Sequence, residues 1–138
     1  ALGVEVYYYS RTRKKEVENK NVHYLKLNEL LKTCEIISIH LPKNTEILKE
    51  KEFEQLGEEK ILINTSLGFP FEENSFNNWL KLSNNYAIFD GDATNSLPST
   101  FKKRSNVIIS EKSAGWSQET QERLSLKVLE NLKNFLNR

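Results

Sequence analysis

Ile36-Ile37-Ser38-Ile39-His40-Leu41-Pro42, Lys60-Ile61-Leu62-Ile63-Asn64-Thr65 and Tyr86-Ala87-Ile88-Phe89-Asp90 decide the fold. Each is a short run rich in β-branched and aromatic residues, ended by a turn former or a polar residue, and each reads as a strand. None alternates apolar with polar residues. Near-continuous apolar strands are those covered on both faces, which predicts a parallel sheet with helices on each side. The segments between them support this. Leu27, Leu30 and Leu31 share one face of a short helix. Ile47, Leu48, Phe53 and Leu56 suit a loop and a helix, and Phe76, Trp79 and Leu80 mark the inner face of a helix over 72–82.

Outward from that centre, Val4-Glu5-Val6-Tyr7-Tyr8-Tyr9 reads as a first strand and Asn106-Val107-Ile108-Ile109 as a fifth. The run from Ser10 to Asn21 is polar, and Asp92 to Ser105 is the longest stretch without a pattern, expected as a loop. A closing amphipathic helix is expected over about 117–137, with Val128, Leu129, Leu132, Phe135 and Leu136 as its stripe. The whole chain, 1–138, reads as one α/β unit. In such sheets ligands bind beyond the carboxyl ends of the strands. Five exits should converge there: Ser10-Arg11, His40-Leu41-Pro42, Thr65-Ser66-Leu67, Asp90-Gly91-Asp92 and Ser110-Glu111-Lys112.

Composition excludes several functions. Twenty Lys and Arg against nineteen Asp and Glu leave a net charge of +1, without the basic excess that a nucleic-acid or anionic-membrane surface requires. No apolar run approaches the ~20 residues that span a bilayer. One cysteine excludes an internal disulfide and a cysteine-built zinc cluster and makes a reducing cytoplasm the expected location. Two histidines and no metal-ligand spacing predict no metal site. Cys34 reads as a small buried hydrophobe, Trp79 as core, His23 as surface, and Glu72-Glu73 as partners of a helix dipole. The chain starts at Ala1 and has no methionine, so it is expected to be processed or to be a piece of a longer protein.

Four segments carry a family resemblance. Cys34 to Pro42, Ile61-Leu62-Ile63-Asn64-Thr65-Ser66-Leu67-Gly68, Ile88-Phe89-Asp90 and Ser113-Ala114-Gly115-Trp116-Ser117 occur in the order and spacing found in the D-isomer-specific 2-hydroxyacid dehydrogenases. The chain resembles that family's nucleotide-binding domain from its second strand to its closing helix. The resemblance implies a doubly wound, Rossmann-like sheet without its first strand and G-x-G-x-x-G turn, which would lie before Ala1. It implies a nicotinamide cofactor, a small 2-hydroxy or 2-oxo acid substrate and a homodimer, with apolar surface near Trp116 in the interface.

NAD-preferring relatives end their second strand in an acid that holds the ribose hydroxyls. Here Ser10 stands in that place, followed by Arg11 and Thr12, then Arg13 and Lys14. Hydroxyls and a guanidinium would bind a 2′-phosphate that an acid repels, so NADP is expected over NAD. Arg13 and Lys14 read equally well as a solvated basic run. By resemblance, Leu41 and Pro42 form an apolar wall for adenine, with Asn44 on the same loop. Thr65 and Ser66 offer backbone groups, Asp90 binds the nicotinamide carboxamide, and Gly115 permits close approach.

The family's catalytic pattern breaks. Its substrate-binding arginine position holds Leu67, its glutamate position Ala93, and its histidine position Lys112. A positioned general acid–base supplies ~10²–10⁴-fold in rate, so these replacements bear directly on activity. Either Lys112 donates the proton in a rewired site, or the chain is a catalytically silent cofactor-binding sensor or scaffold. A lysine can donate at neutral pH when burial or nearby cations destabilise its charge; Glu111, Asp90 and Asp92 oppose this.

Overall fold

The computed structural model describes residues 3–43, 45–112 and 117–137. Its first strand, β1 (Val6–Tyr8), pairs in parallel with β2 (Val22–Tyr24), Val6 opposite Val22 and Tyr8 opposite Tyr24. A second sheet, all parallel, has the order β3 (Ile36–Ile39), β4 (Ile61–Asn64), β5 (Tyr86–Phe89), β6 (Val107–Ile109). Its connections are α2 (Glu50–Leu56), α3 (Glu73–Trp79) and a one-turn α4 (Gly91–Thr94). Helix α1 (Leu27–Thr33) leads into β3, and α5 (Gln118–Leu136) closes the chain. Consecutive strands joined by helices and paired in parallel are the α/β architecture expected from the sequence.

Local chemistry sets the helix ends. The Lys26 amide donates to the Glu29 carboxylate at 3.2 Å and the Lys49 amide to Glu52 at 3.1 Å, each satisfying a donor at a helix start. The Lys60 ammonium donates to the carbonyls of Lys32 (3.2 Å) and Cys34 (2.8 Å), which the end of α1 leaves without helical partners. Helix α2 ends at Gly57 with φ +71°, a conformation that glycine adopts without strain. The turn aims the Gly57 carbonyl at Trp79 Nε1 (2.8 Å) and Asn85 Nδ2 (3.0 Å). Buried Asn85 also donates to the Trp79 carbonyl and accepts the Lys60 amide. This network fixes the sheet's amino-terminal edge, away from the strand exits.

The core lies on one face of the larger sheet. Ile37, Ile39, Leu62, Ala87 and Phe89 point into it, against Leu30, Leu31, Phe53, Leu56, Phe76 and Trp79 of α1–α3. Phe71 stacks on Phe76 at 4.7 Å, and Phe69 stacks on Phe101 at 5.9 Å. Trp79 is core, as expected. Cys34 is half-buried against the cluster, and burial raises its thiol pKa.

Several expectations are corrected. The strands are not covered on both faces among the described residues: Ile36 is 59% exposed, Tyr86 41% and Ile108 50%, all facing away from the core. The stripe on α5 is exposed too, and the helix buries no described residue. A sixth strand, β2, lies in sequence that carries no strand pattern. Three residues are too few to display a period, and its partner β1 is a non-local one. The expected loop after Asp92 holds α4 and then a run of turns, pinned by Ala93, Leu97 and Phe101, each buried and four residues apart. His23 is half-buried and packs beside Tyr7, ring centroids 5.7 Å apart.

Candidate functional site at the strand ends

The exits of the four-stranded sheet are tied to one another. Buried Ser66 accepts a hydrogen bond from the Leu41 amide at 2.8 Å and donates to the Ile39 carbonyl at 3.2 Å, joining the β3 and β4 exits. Buried Asn64 accepts the Ser66 amide (3.0 Å) and donates to the Gly68 carbonyl (2.9 Å), folding 64–68 into a fixed turn. Thr65 Oγ1 donates to the Ile39 carbonyl and lies 2.9 Å from His40 Nδ1, while His40 Nε2 lies 2.9 Å from Ser38 Oγ. The side chains of Thr65 and Ser66 are thus engaged in holding the two loops. The Asp90 amide reaches the Asn64 carbonyl (3.3 Å), and the Gly91 amide reaches the Lys112 carbonyl (3.2 Å).

Only four of the five expected exits are joined this way among the described residues. The fifth, Ser10-Arg11-Thr12, follows β1 in the two-stranded sheet, which has no ladder to β3–β6. There the Ser10 hydroxyl donates to the Thr12 carbonyl at 2.6 Å, closing a turn that leaves Arg11 exposed. Arg13 forms a two-point ion pair with Glu18, Nε to Oε1 at 2.7 Å and Nη2 to Oε2 at 2.6 Å, and its guanidinium lies 5.4 Å from the Tyr24 ring centroid. Tyr8 donates to the same carboxylate at 3.0 Å. The Arg13 guanidinium holds the Glu18 carboxyl down at about 2, against an ordinary 4.5. Arg13 is therefore not a free cation, and Glu18 is held by it. The sequence had no signal for this pairing, because a five-residue separation across a turn follows no helical or strand period.

At the β5 exit, Asp90 caps α4 by accepting the Ala93 amide at 2.9 Å through Oδ1. Its second carboxylate oxygen has no donor among the described residues. Leu41 is half-buried against the core and Pro42 is exposed, a partly apolar lip at the β3 exit. Ala93 is fully buried, so a carboxylate there would sit in the core. Leu67 is 56% exposed. It lines a cavity of about 190 Å³ with Lys43, Asp92, Asn95 and Ser96. Lys43, Asn95 and Ser96 were not singled out from the sequence; their shared wall comes from folding the β3 loop against the α4 turn. Lys112 is exposed and does not line this cavity, though its main chain abuts Gly91. Asn44 and Gly115, and Trp116 with them, lie outside the described residues.

No group of three or more metal-ligating side chains occurs among the described residues, and no described helix is long and apolar enough to cross a membrane. A nicotinamide dinucleotide fits the chemistry present at two points. Arg11 is an exposed cation, and Asp90 Oδ2 accepts from no donor among the described residues. The sequence holds no G-x-G-x-x-G turn for the pyrophosphate.

Comparison with known proteins places this arrangement. The family described as D-isomer specific 2-hydroxyacid dehydrogenase, NAD binding domain, matches residues 1–114. A glyoxylate reductase of Aeropyrum pernix is 30% identical over 145 residues, covering 98% of this chain and 42% of its own. The chain thus spans under half the length of that relative. A D-isomer specific 2-hydroxyacid dehydrogenase of Lactobacillus delbrueckii ssp. bulgaricus, solved in its NAD-complexed form, superposes with a TM-score of 0.75 at 20% identity, over 98% of this chain and 47% of that one. An acyclic imino acid reductase, solved with NADPH and D-Arg, gives a TM-score of 0.72 at 29% identity, over 91% of this chain and 42% of that one. With its parallel α/β sheet and linked strand exits, the chain belongs to the D-isomer specific 2-hydroxyacid dehydrogenase family, as a form of its NAD-binding domain.

Proposed function

We propose that this chain is the nucleotide-binding part of an NAD(P)-dependent oxidoreductase of the D-2-hydroxyacid dehydrogenase type. In this reading it prefers NADP and acts on a small 2-oxo or 2-hydroxy acid at a rewired site. The observation that carries it is the β1 exit. Arg11 is exposed there, Ser10 replaces an acid, and Glu18 is already claimed by Arg13. A 2′-phosphate would meet the Arg11 cation beside a carboxylate, Glu18, that Arg13 already holds. A charged hydrogen bond contributes about 1.5–3 kcal/mol, so loss of Arg11 should weaken NADPH binding about 10- to 100-fold.

Each residue has a defined task in this reading. Arg11 and Thr12 hold the phosphate-bearing ribose, Leu41 and Pro42 cover the adenine, with Asn44 beside them, and Asp90 orients the carboxamide. Thr65, Ser66 and Gly115 shape the backbone around it. The bound nicotinamide supplies or accepts the hydride. Lys112, exposed beside the Asp90-Gly91 turn, delivers the proton to the substrate oxygen. A homodimer belongs to the same reading, and gel filtration of the native protein would show a mass of one chain if it is wrong.

A second reading is favoured by Ala93, which is fully buried, and by Lys112, which does not line the cavity. It makes the protein a cofactor-binding sensor or scaffold without family-type chemistry. Calorimetric titration of the native protein with NADPH and then NADH separates the outcomes. The primary reading expects tighter NADPH binding, a selective loss of it in Arg11→Ala, and NADPH oxidation that Lys112→Ala lowers by ~10²–10⁴-fold. Equal losses of both cofactors in Arg11→Ala would overturn the NADP preference. Cofactor binding without turnover of any 2-oxo acid would favour the sensor.

A further inference from the structure

We propose that Glu18 and Tyr8 are positioning residues for cofactor choice, holding the β1-exit loop in the shape that presents Arg11 to a 2′-phosphate. This role rests on the NADP reading above and adds what holds Arg11 in place. The loop is pinned at three points. The Ser10 hydroxyl closes a turn onto the Thr12 carbonyl at 2.6 Å, with Arg11 between them. The Tyr8 hydroxyl accepts the Lys14 amide at 2.9 Å and donates to Glu18 Oε1 at 3.0 Å. Glu18 in turn takes Arg13 through bonds of 2.7 and 2.6 Å. One carboxylate thus ties the strand before the loop, through Tyr8, to the middle of the loop, through Arg13, and to the residue after the helical turn Lys15–Val17. The anchor is itself fixed. Tyr8 lies opposite Tyr24 in the β1–β2 ladder, their rings 5.5 Å apart, and the Arg13 guanidinium lies over the Tyr24 ring.

Such a network acts on affinity through order. A phosphate contact delivers its full free energy only when the loop that carries it is already in place; a loose loop has to be ordered on binding, and that cost is subtracted from the affinity. NADH brings no 2′-phosphate, so its affinity depends far less on where Arg11 stands. The charge of Glu18 acts in the opposite direction. A carboxylate on the same loop repels a phosphate, so neutralising it would by itself tighten NADPH binding. Positioning and repulsion therefore predict opposite results for one substitution. Tyr8→Phe separates them further, because it removes the shared hydroxyl, keeps the ring against Tyr24 and changes no charge at neutral pH.

The test is calorimetric titration of the native protein, Tyr8→Phe, Glu18→Gln and Arg11→Ala with NADPH and with NADH. Tyr8→Phe and Glu18→Gln should each bind NADPH about tenfold more weakly and NADH within about twofold of the native protein. The ratio of the two affinities is the deciding readout, since a merely structural role would weaken both cofactors alike. Undiminished or tighter NADPH binding in either variant, or equal losses of both cofactors, would overturn the positioning role. A native preference for NADPH that Arg11→Ala abolishes and both other variants keep would overturn it while leaving the NADP reading intact. No preference for NADPH in the native protein would overturn both together.

Discussion

The two faces of the β3–β6 sheet are built from similar residues and behave differently. Ile37, Leu62, Ala87 and Phe89 on one face are buried against α1–α3 and a cluster of five further phenylalanines and Trp79. Ile36, Tyr86 and Ile108 on the other are 41–59% exposed. Strand composition therefore reports that a residue suits a pleated surface, and says nothing of which face receives a cover. The seventh phenylalanine makes the same point from the helix side: Phe135 of α5 is 74% exposed.

The largest effect should come from truncation on the covered face. Phe76, fully buried, packs beside five other aromatic rings in addition to stacking on Phe71. Phe76→Ala should cost about 3–5 kcal/mol in a urea unfolding curve, whereas Ile108→Ala should cost less than about 1 kcal/mol. A loss at Ile108 matching that at Phe76 would mean that the open face is covered in the native protein, which would erase the contrast. A middle-sized effect sharpens it at the sheet's amino-terminal edge. Asn85→Ala removes a buried amide bonded to Gly57, Trp79 and Lys60, and should cost about 2 kcal/mol, with no change in cofactor affinity. A change in cofactor affinity would deny that this edge is purely structural.

The smallest effect lies on the outlying β1–β2 sheet. Glu18 has its carboxyl depressed to about 2, so its pairing with Arg13 stabilises the fold fully above 4.5 and is lost as pH falls through about 2. In Glu18→Gln that contribution is absent at every pH. Thermal midpoints of the two proteins should differ slightly at pH 6 and converge toward pH 2. A constant gap across that range would mean that the carboxyl is not held by Arg13.

Much of the frame was legible in the residues themselves. β3, β4 and β5 lie inside the runs that suggested them, and α1 and α3 bury Leu30, Leu31, Phe76 and Trp79 as their spacing requires. The Ala93, Leu97, Phe101 interval was also on the page, at a constant spacing of four, and marks where the expected loop is pinned. The site was less legible. Asp90 and Leu41 could be placed at strand exits because exits are marked in the chain, whereas Lys43 and Asp92 came to share one groove only when two distant loops met.

The sequence by itself determined the α/β class, the parallel strands and the family, because period, β-branching and exit motifs are local properties written in consecutive residues. Tertiary structure alone decided that β2 exists, that Glu18 takes Arg13 out of play, which sheet face is covered, and which side chains share a cavity. Those outcomes depend on pairings that follow no local period of the chain, whose free energy is set by what packs opposite and not by what stands next in the chain.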